Sequence, residues 1–181
     1  MRIAAVGEAF PENYYAQGAI TDRLRQLWGR DATVTSRLDS LHRNVEVDGR
    51  YLSLPLEAYT RDRSFGQTND VWIETALNLG ERAIASALGD ACLVAQDIDA
   101  IFFSTVTGVA SPSLDARLVN RMGFRTDIRR TPMFGLGCVA GAAGLSRAAD
   151  YLRGNPTHTA IVLTVELCSL TLQFDDRSVA T

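Results

Sequence analysis

The chain has 181 residues, 18 basic and 21 acidic, for a net charge of −3, with 46% hydrophobic and 22% charged residues. That balance is typical of a folded domain and excludes disordered, collagen-like and disulfide-scaffold classes; without a basic excess, no nucleic-acid partner is expected. Every basic residue is arginine, so no Walker-type lysine, pyridoxal Schiff base or lysine nucleophile is available.

In chain order, residues 2–7 (RIAAVG) read as a short buried strand ending at a glycine, and Pro11 breaks the chain. Residues 19–28 place Ile20, Leu24, Leu27 and Trp28 on one helical face. From 30 to 69 no long period holds; short helices and loops are expected there, with an apolar patch at Tyr51, Leu52, Leu54 and Leu56. Residues 70–88 form an amphipathic helix that Asn69 or Asp70 would cap and Gly89 would stop. Residues 100–106 (AIFFSTV) read as a buried strand. Ser111 and Pro112 read as the N-cap and first position of a helix running to Met122. A turn-like Thr131-Pro132 precedes a helix over 138–152, and 160–167 (AIVLTVEL) has the continuous apolar character of a central parallel strand. Strands alternating with helices make this an α/β layered architecture without internal repeats.

The N-terminus, with one arginine and an apolar run broken by Glu8, is a poor signal peptide, and no apolar stretch nears the ~20 residues of a membrane span. No membrane partner is expected. Cysteines 92, 138 and 168 contain no Cys-x-x-Cys pair, and the only histidines are His42 and His158. This argues against zinc clusters, disulfides and histidine metal sites, and fits a reducing cytoplasm.

The chemistry concentrates in Gly135-Leu-Gly-Cys138-Val-Ala-Gly141-Ala-Ala-Gly144. A thiol between a glycine-bearing turn and a helix start meets unpaired N–H groups and the positive end of the macrodipole, which favour a thiolate. The same N–H groups can stabilise an oxyanion during acyl transfer. Gly141, Ala142, Ala143 and Gly144 imply a helix packed closely on something. The plainer alternative is a cysteine buried as a small hydrophobe. That alternative is preferred for Cys92, which follows a helix end. For Cys168, at a strand end, core packing is preferred over lining a pocket.

The run GCVAGAAGLSRAADYL resembles the nucleophile segment of type III polyketide synthases, the chalcone and stilbene synthase family, in their bacterial form. FFSTVTGVASPSLDARLVNRMGFR resembles the family's strand and loop before the nucleophile, and Val165-Glu166-Leu167-Cys168 its strand after it; together these cover about residues 70–175. The resemblance implies a thiolase-like fold, layered α/β/α/β/α in the full protein, with residues 1–181 as the N-terminal half carrying the nucleophile. Cys138 would take a starter acyl group from an acyl-CoA, and malonyl-CoA would be decarboxylated and condensed onto it. Coenzyme A thioesters are then substrates, with no further cofactor and no metal. Val106, Thr107, Cys168 and Thr171 would line the substrate cavity. Val106 and Cys168 stand where plant members commonly have threonine, which implies a more apolar cavity and a long-chain starter. Arg37 and Arg43 lie where the family binds coenzyme A phosphates, though a solvated charged face is the commoner role of such residues. Ser111 replaces a methionine that often crosses a homodimer interface, weakening that contact without excluding the dimer.

The family also uses a histidine, an asparagine and a phenylalanine gatekeeper, expected beyond residue 181. Neither His42 nor His158 matches by position, and both are expected on the solvated surface, as are Arg129, Arg130, Asp175 and Asp176. The chain alone is therefore expected to condense little or nothing, and to expose an apolar face of its central helix. Two alternatives remain: an initiating ketoacyl carrier-protein synthase, and a non-catalytic half-domain.

Overall fold

The computed structural model describes residues 2–28, 32–60 and 63–173, with only the backbone for 32–35. The chain divides into two compact units, one of residues 10–68 with 168–181 and one of residues 1–9 with 69–167.

In the first unit, β1 (Asn13–Ala16) pairs antiparallel with β2 (Gly49–Leu52), Asn13 opposite Leu52 and Ala16 opposite Gly49. Tyr51 stacks on Phe10 at 4.9 Å and meets Tyr14, its cross-strand partner, at 5.0 Å between ring centroids, the kind of contact that fixes register in a short ribbon. Between the strands run α1 (Gln17–Trp28) and α2 (Ala32–Asn44). The α1 helix buries Ile20 as its apolar spacing requires. The α2 helix is longer than expected, and its weak sequence signal has a cause. Among its described side chains only Leu38 is buried.

In the second unit, a three-stranded parallel sheet has the order β4-β3-β5. The central strand β3 (Ala100–Thr105) is buried throughout, and Ala100 faces both Arg129 of β4 (Arg129–Phe134) and Ala160 of β5 (Ala160–Thr164). The helices are α3 (Phe65–Ala91), α4 (Leu114–Met122) and α5 (Ala140–Gly154). Alternate residues of β5 face opposite layers. Leu163 meets Gly80 of α3, which also touches Leu118 of α4, whereas Val162 meets Gly144 of α5. Phe102, Ala100 and Ala148 form the core beneath α5.

Five expectations are corrected. The segment 160–167, expected as a central strand, forms β5 only over Ala160–Thr164 and lies at an edge of the described sheet, its apolar run serving to pack both faces on helices. Residues 2–7 form no strand, because no described strand pairs with them; the segment rests on α3, where a Cβ on Gly7 would fall 2.1 Å from the Ala83 carbonyl oxygen. Helix α3 starts earlier than its apolar stripe. Ser64 and Gln67 form a reciprocal capping box, with the Ser64 N–H donating to Gln67 Oε1 (2.9 Å) and the Gln67 N–H to Ser64 Oγ (3.3 Å). Asn69 is no cap. Its amide exchanges two 2.8 Å hydrogen bonds with the Val109 backbone. The helix also passes Gly89 and ends at Ala91, followed by the left-handed Cys92 (φ 54°), with the Leu93 N–H donating to the Leu88 carbonyl at 2.9 Å, a Schellman closure. Helix α4 begins at Leu114, with Ser113 rather than Ser111 at its N-cap position; the Ser111–Pro112 peptide is cis, and the Pro112 carbonyl accepts from Arg117 Nε at 3.1 Å. Finally, the turn-like Thr131-Pro132 lies inside β4, which tolerates a proline because it is an edge strand.

Candidate active site

Parallel strands present their carboxyl ends on one edge, where α/β sheets place their chemistry. In the second unit, three connections converge there: 135–139 after β4, 106–108 after β3 and 165–167 after β5. Cys138 lies in the first, in a 3-10 turn (Gly137–Val139) leading directly into α5. Gly135 (φ 85°) and Gly137 (φ 56°) take the left-handed conformation that turns the chain from strand to helix, which a Cβ would strain. The thiol is exposed, which sets aside its reading as a buried hydrophobe. Val139, at the N-cap of α5, provides no side-chain cap for the helix N–H groups beside it.

Glu166 was missed by sequence reasoning, because an acidic residue at a strand end carries no pattern of its own. Its carboxylate accepts the Val106 N–H at 3.0 and 3.2 Å and the Thr107 hydroxyl at 2.8 Å. Thr107 Oγ1 in turn accepts the Trp72 indole N–H at 3.1 Å and the Leu167 N–H at 2.9 Å. A hydroxyl has one proton and two lone pairs, so Thr107 has none left for a substrate and offers only its methyl group. Trp72, 1% exposed, packs so tightly that a Cβ on Gly108 would lie 2.0 Å from its ring. Indole, threonine and carboxylate thus lock the 106–108 connection to 165–167. Val106 remains exposed.

In the first unit, Cys168 and Thr171 are the exposed ends of a 3-10 turn (Cys168–Thr171), closed by the Thr171 hydroxyl donating to the Cys168 carbonyl at 2.9 Å. Cys168 is therefore not packed in a core. Arg37 and Arg43 are exposed on α2. Arg43 lines a cavity of about 480 Å³ shared with Asp22, Asp39, Glu46, Asp48 and Arg25. Four carboxylates against two guanidiniums oppose a phosphate there.

The expected surface groups are more engaged than their sequence setting implies. His42 is half-buried with Nδ1 2.6 Å from Thr21 Oγ1, and His158 is half-buried with Nδ1 2.6 Å from the Tyr151 hydroxyl. His158 follows α5, at the end of that helix away from Cys138. Arg130 pairs at 3.1 Å with Asp115, which is fully buried, and Arg129 lies over the Tyr151 ring at 5.6 Å. Both arginines anchor β4 to neighbouring helices while staying partly exposed. Cys92 is exposed rather than buried. Asp175 and Asp176 lie outside the described residues. Among the described residues, no group of three or more His, Cys, Asp or Glu side chains is placed to hold a metal, and no helix is long and apolar enough to cross a membrane.

Comparison with known proteins places this geometry. Residues 1–178 match the N-terminal domain of chalcone and stilbene synthases. A 1,3,6,8-tetrahydroxynaphthalene synthase from Streptomyces peucetius subsp. caesius is 49% identical over 173 residues, covering 96% of this chain and 46% of that protein. A putative chalcone synthase from Bacillus subtilis is 32% identical, covering 97% of this chain and 50% of that protein. The crystal structure of the tetrahydroxynaphthalene synthase of Streptomyces coelicolor A3(2), a bacterial type III polyketide synthase, superposes with a TM-score of 0.89 at 31% identity, over 97% of this chain and 51% of that one. The chain thus spans about half the length of the relatives it matches, and its fold is the N-terminal half of their thiolase-like architecture. With residues 1–178 matched by the family's N-terminal domain, the chain belongs to the chalcone and stilbene synthases.

Proposed function

We propose that the whole protein is a type III polyketide synthase, an acyltransferase in which Cys138 carries the growing chain. The observation that carries this reading is the exposed Cys138 thiol at the glycine turn entering α5. Cys138 Sγ attacks the carbonyl carbon of an acyl-CoA, and the coenzyme A thiol leaves with a proton. Malonyl-CoA then loses carbon dioxide, and the resulting enolate attacks the Cys138 thioester. This frees Sγ and leaves a 3-ketoacyl-CoA one acetate unit longer. The N–H groups of the first turn of α5, which directly follows the Cys138 turn, are donors for a tetrahedral oxyanion.

The histidine and asparagine needed to polarise the thioester and hold the malonyl carbonyl are assigned to the second half of the protein. No further cofactor is invoked. Val106, Cys168, Thr171 and the Thr107 methyl group line the cavity, and Arg37 holds a coenzyme A phosphate, with Arg43 the weaker candidate. The protein acts in the cytoplasm as a homodimer, with Ser111 at the subunit contact.

The relative at 49% identity is named for a naphthalene, a skeleton divisible into acetate units throughout, which favours a malonyl-derived starter. The apolar Val106 and Cys168 favour a long-chain starter instead. Incubating the whole protein with labelled malonyl-CoA alone decides between them. An aromatic product labelled in every unit is expected. A product formed only when a fatty acyl-CoA is added would establish the long-chain reading, and no product from either would overturn the assignment.

A further inference from the structure

The 3-10 turn Cys168–Thr171 presents its residues in two directions. Cys168 and Thr171 are exposed, Ser169 is half-buried and Leu170 is buried. The Ser53 N–H donates to Ser169 Oγ at 3.1 Å, and the Ser169 hydroxyl donates to Ser53 Oγ at 3.2 Å. These two bonds join residues 116 positions apart in the sequence. The buried Tyr59 hydroxyl completes the group. It accepts the Leu54 N–H at 3.3 Å and is hydrogen-bonded to Ser169, and burial raises its pKa so that it stays protonated. Residues 53 and 54 directly follow β2, whose register is set by its pairing with β1 and by the Tyr14–Tyr51 cross-strand contact. The turn is therefore tied to a fixed ribbon by its inner residues, while its outer residues face away.

We infer that Ser53 and Ser169 are positioning residues for product length: their paired hydrogen bonds hold the Cys168–Thr171 turn, and through it the part of the cavity wall those two residues form. The inference rests on the reading above that Cys168 and Thr171 line the cavity. Neither serine touches substrate. Each acts by setting where the Cys168 and Thr171 side chains stand, and small displacements matter where a growing chain is folded before release.

The test uses the whole enzyme with malonyl-CoA and chromatographic analysis of products, alongside the rate of Cys138 acylation followed by intact mass. Ser169→Ala removes both bonds of the pair. It is expected to shift the ratio of full-length to shortened products about tenfold, below the roughly hundredfold that a 1 Å misplacement can cost, with Cys138 acylation unchanged. Ser53→Ala leaves the backbone bond in place, so a smaller shift is expected, and none in addition when Ser169 is already alanine. Ser169→Thr keeps the hydroxyl and is expected to restore the wild-type ratio. Cys168→Trp tests the underlying reading separately and is expected to shorten the products. If Cys168→Trp shortens them while Ser169→Ala keeps the wild-type ratio, the positioning role is overturned and the cavity reading stands. If Cys168→Trp changes nothing, both fall. Should Ser169→Ala not fold, Ser53→Ala carries the same comparison, and a wild-type ratio there overturns the inference.

Discussion

His42 illustrates how a residue's role is set by its neighbours. The single proton of the Thr21 hydroxyl goes to the Gln17 carbonyl at 2.8 Å, so the 2.6 Å contact with His42 requires the proton on Nδ1. Burial is the main cause holding the His42 pKa below its ordinary 6.5, followed by Arg50, with Asp39 opposing. As the solution is acidified below 6.5, the unfolded chain takes up a proton that the folded imidazole resists. This contribution to stability is therefore full above 6.5 and is lost as pH falls through the lower folded value. Melting temperatures of wild type and His42→Asn should converge between about pH 7.5 and about pH 5, because asparagine keeps a donor for Thr21 but does not titrate. A difference independent of pH would refute the linkage. Of the functional residues, Cys138 was legible from its flanking glycines. Glu166 and Trp72 were not, since their roles come from hydrogen bonds to Thr107 across the molecule rather than from local pattern.

At the scale of elements, legibility followed burial. The strand β3 read correctly from its continuous apolar run, because it is buried throughout; the same character in β5 pointed to a central strand, whereas β5 is an edge of the described sheet whose apolar run packs both its faces on helices. The β4 strand was hidden by Pro132 and by exposed arginines, both permitted at a sheet edge. Residues 2–7 carry a strand's composition yet have no strand beside them among the described residues, leaving Ile3 67% and Val6 78% exposed. The small residues of α5 were legible as a sign of close packing, and the structure assigns it to one face. A Cβ on Gly144 would lie 2.7 Å from Val162 Cγ1, whereas one on Gly141 would meet nothing within 4 Å. Gly144→Ala should therefore cost about 1–3 kcal/mol through overpacking despite a better helix propensity, while Gly141→Ala should gain up to about 1 kcal/mol. Denaturant unfolding of both variants checks this, and equal effects would contradict the assignment of the packed face.

For the whole molecule, the family was legible because the nucleophile turn and its flanking strands are local in sequence. The two-unit arrangement was not, since residues 168–173 join the earlier unit by contacts such as Ser169 with Ser53 that no periodicity announces. Leu145 on α5, Val139 in the turn before it and Phe134 at the end of β4 are 47%, 57% and 66% exposed. Under the proposed function, the second half of the protein or a second subunit covers such side chains. The central claim is that Cys138 carries the acyl chain, and peptide mass mapping tests it most directly. The whole protein is mixed with an acyl-CoA, quenched and digested. An acyl mass is expected on the peptide containing Cys138, and its loss is expected in Cys138→Ala. An adduct confined to Cys92 or Cys168, or unchanged in that variant, would contradict it.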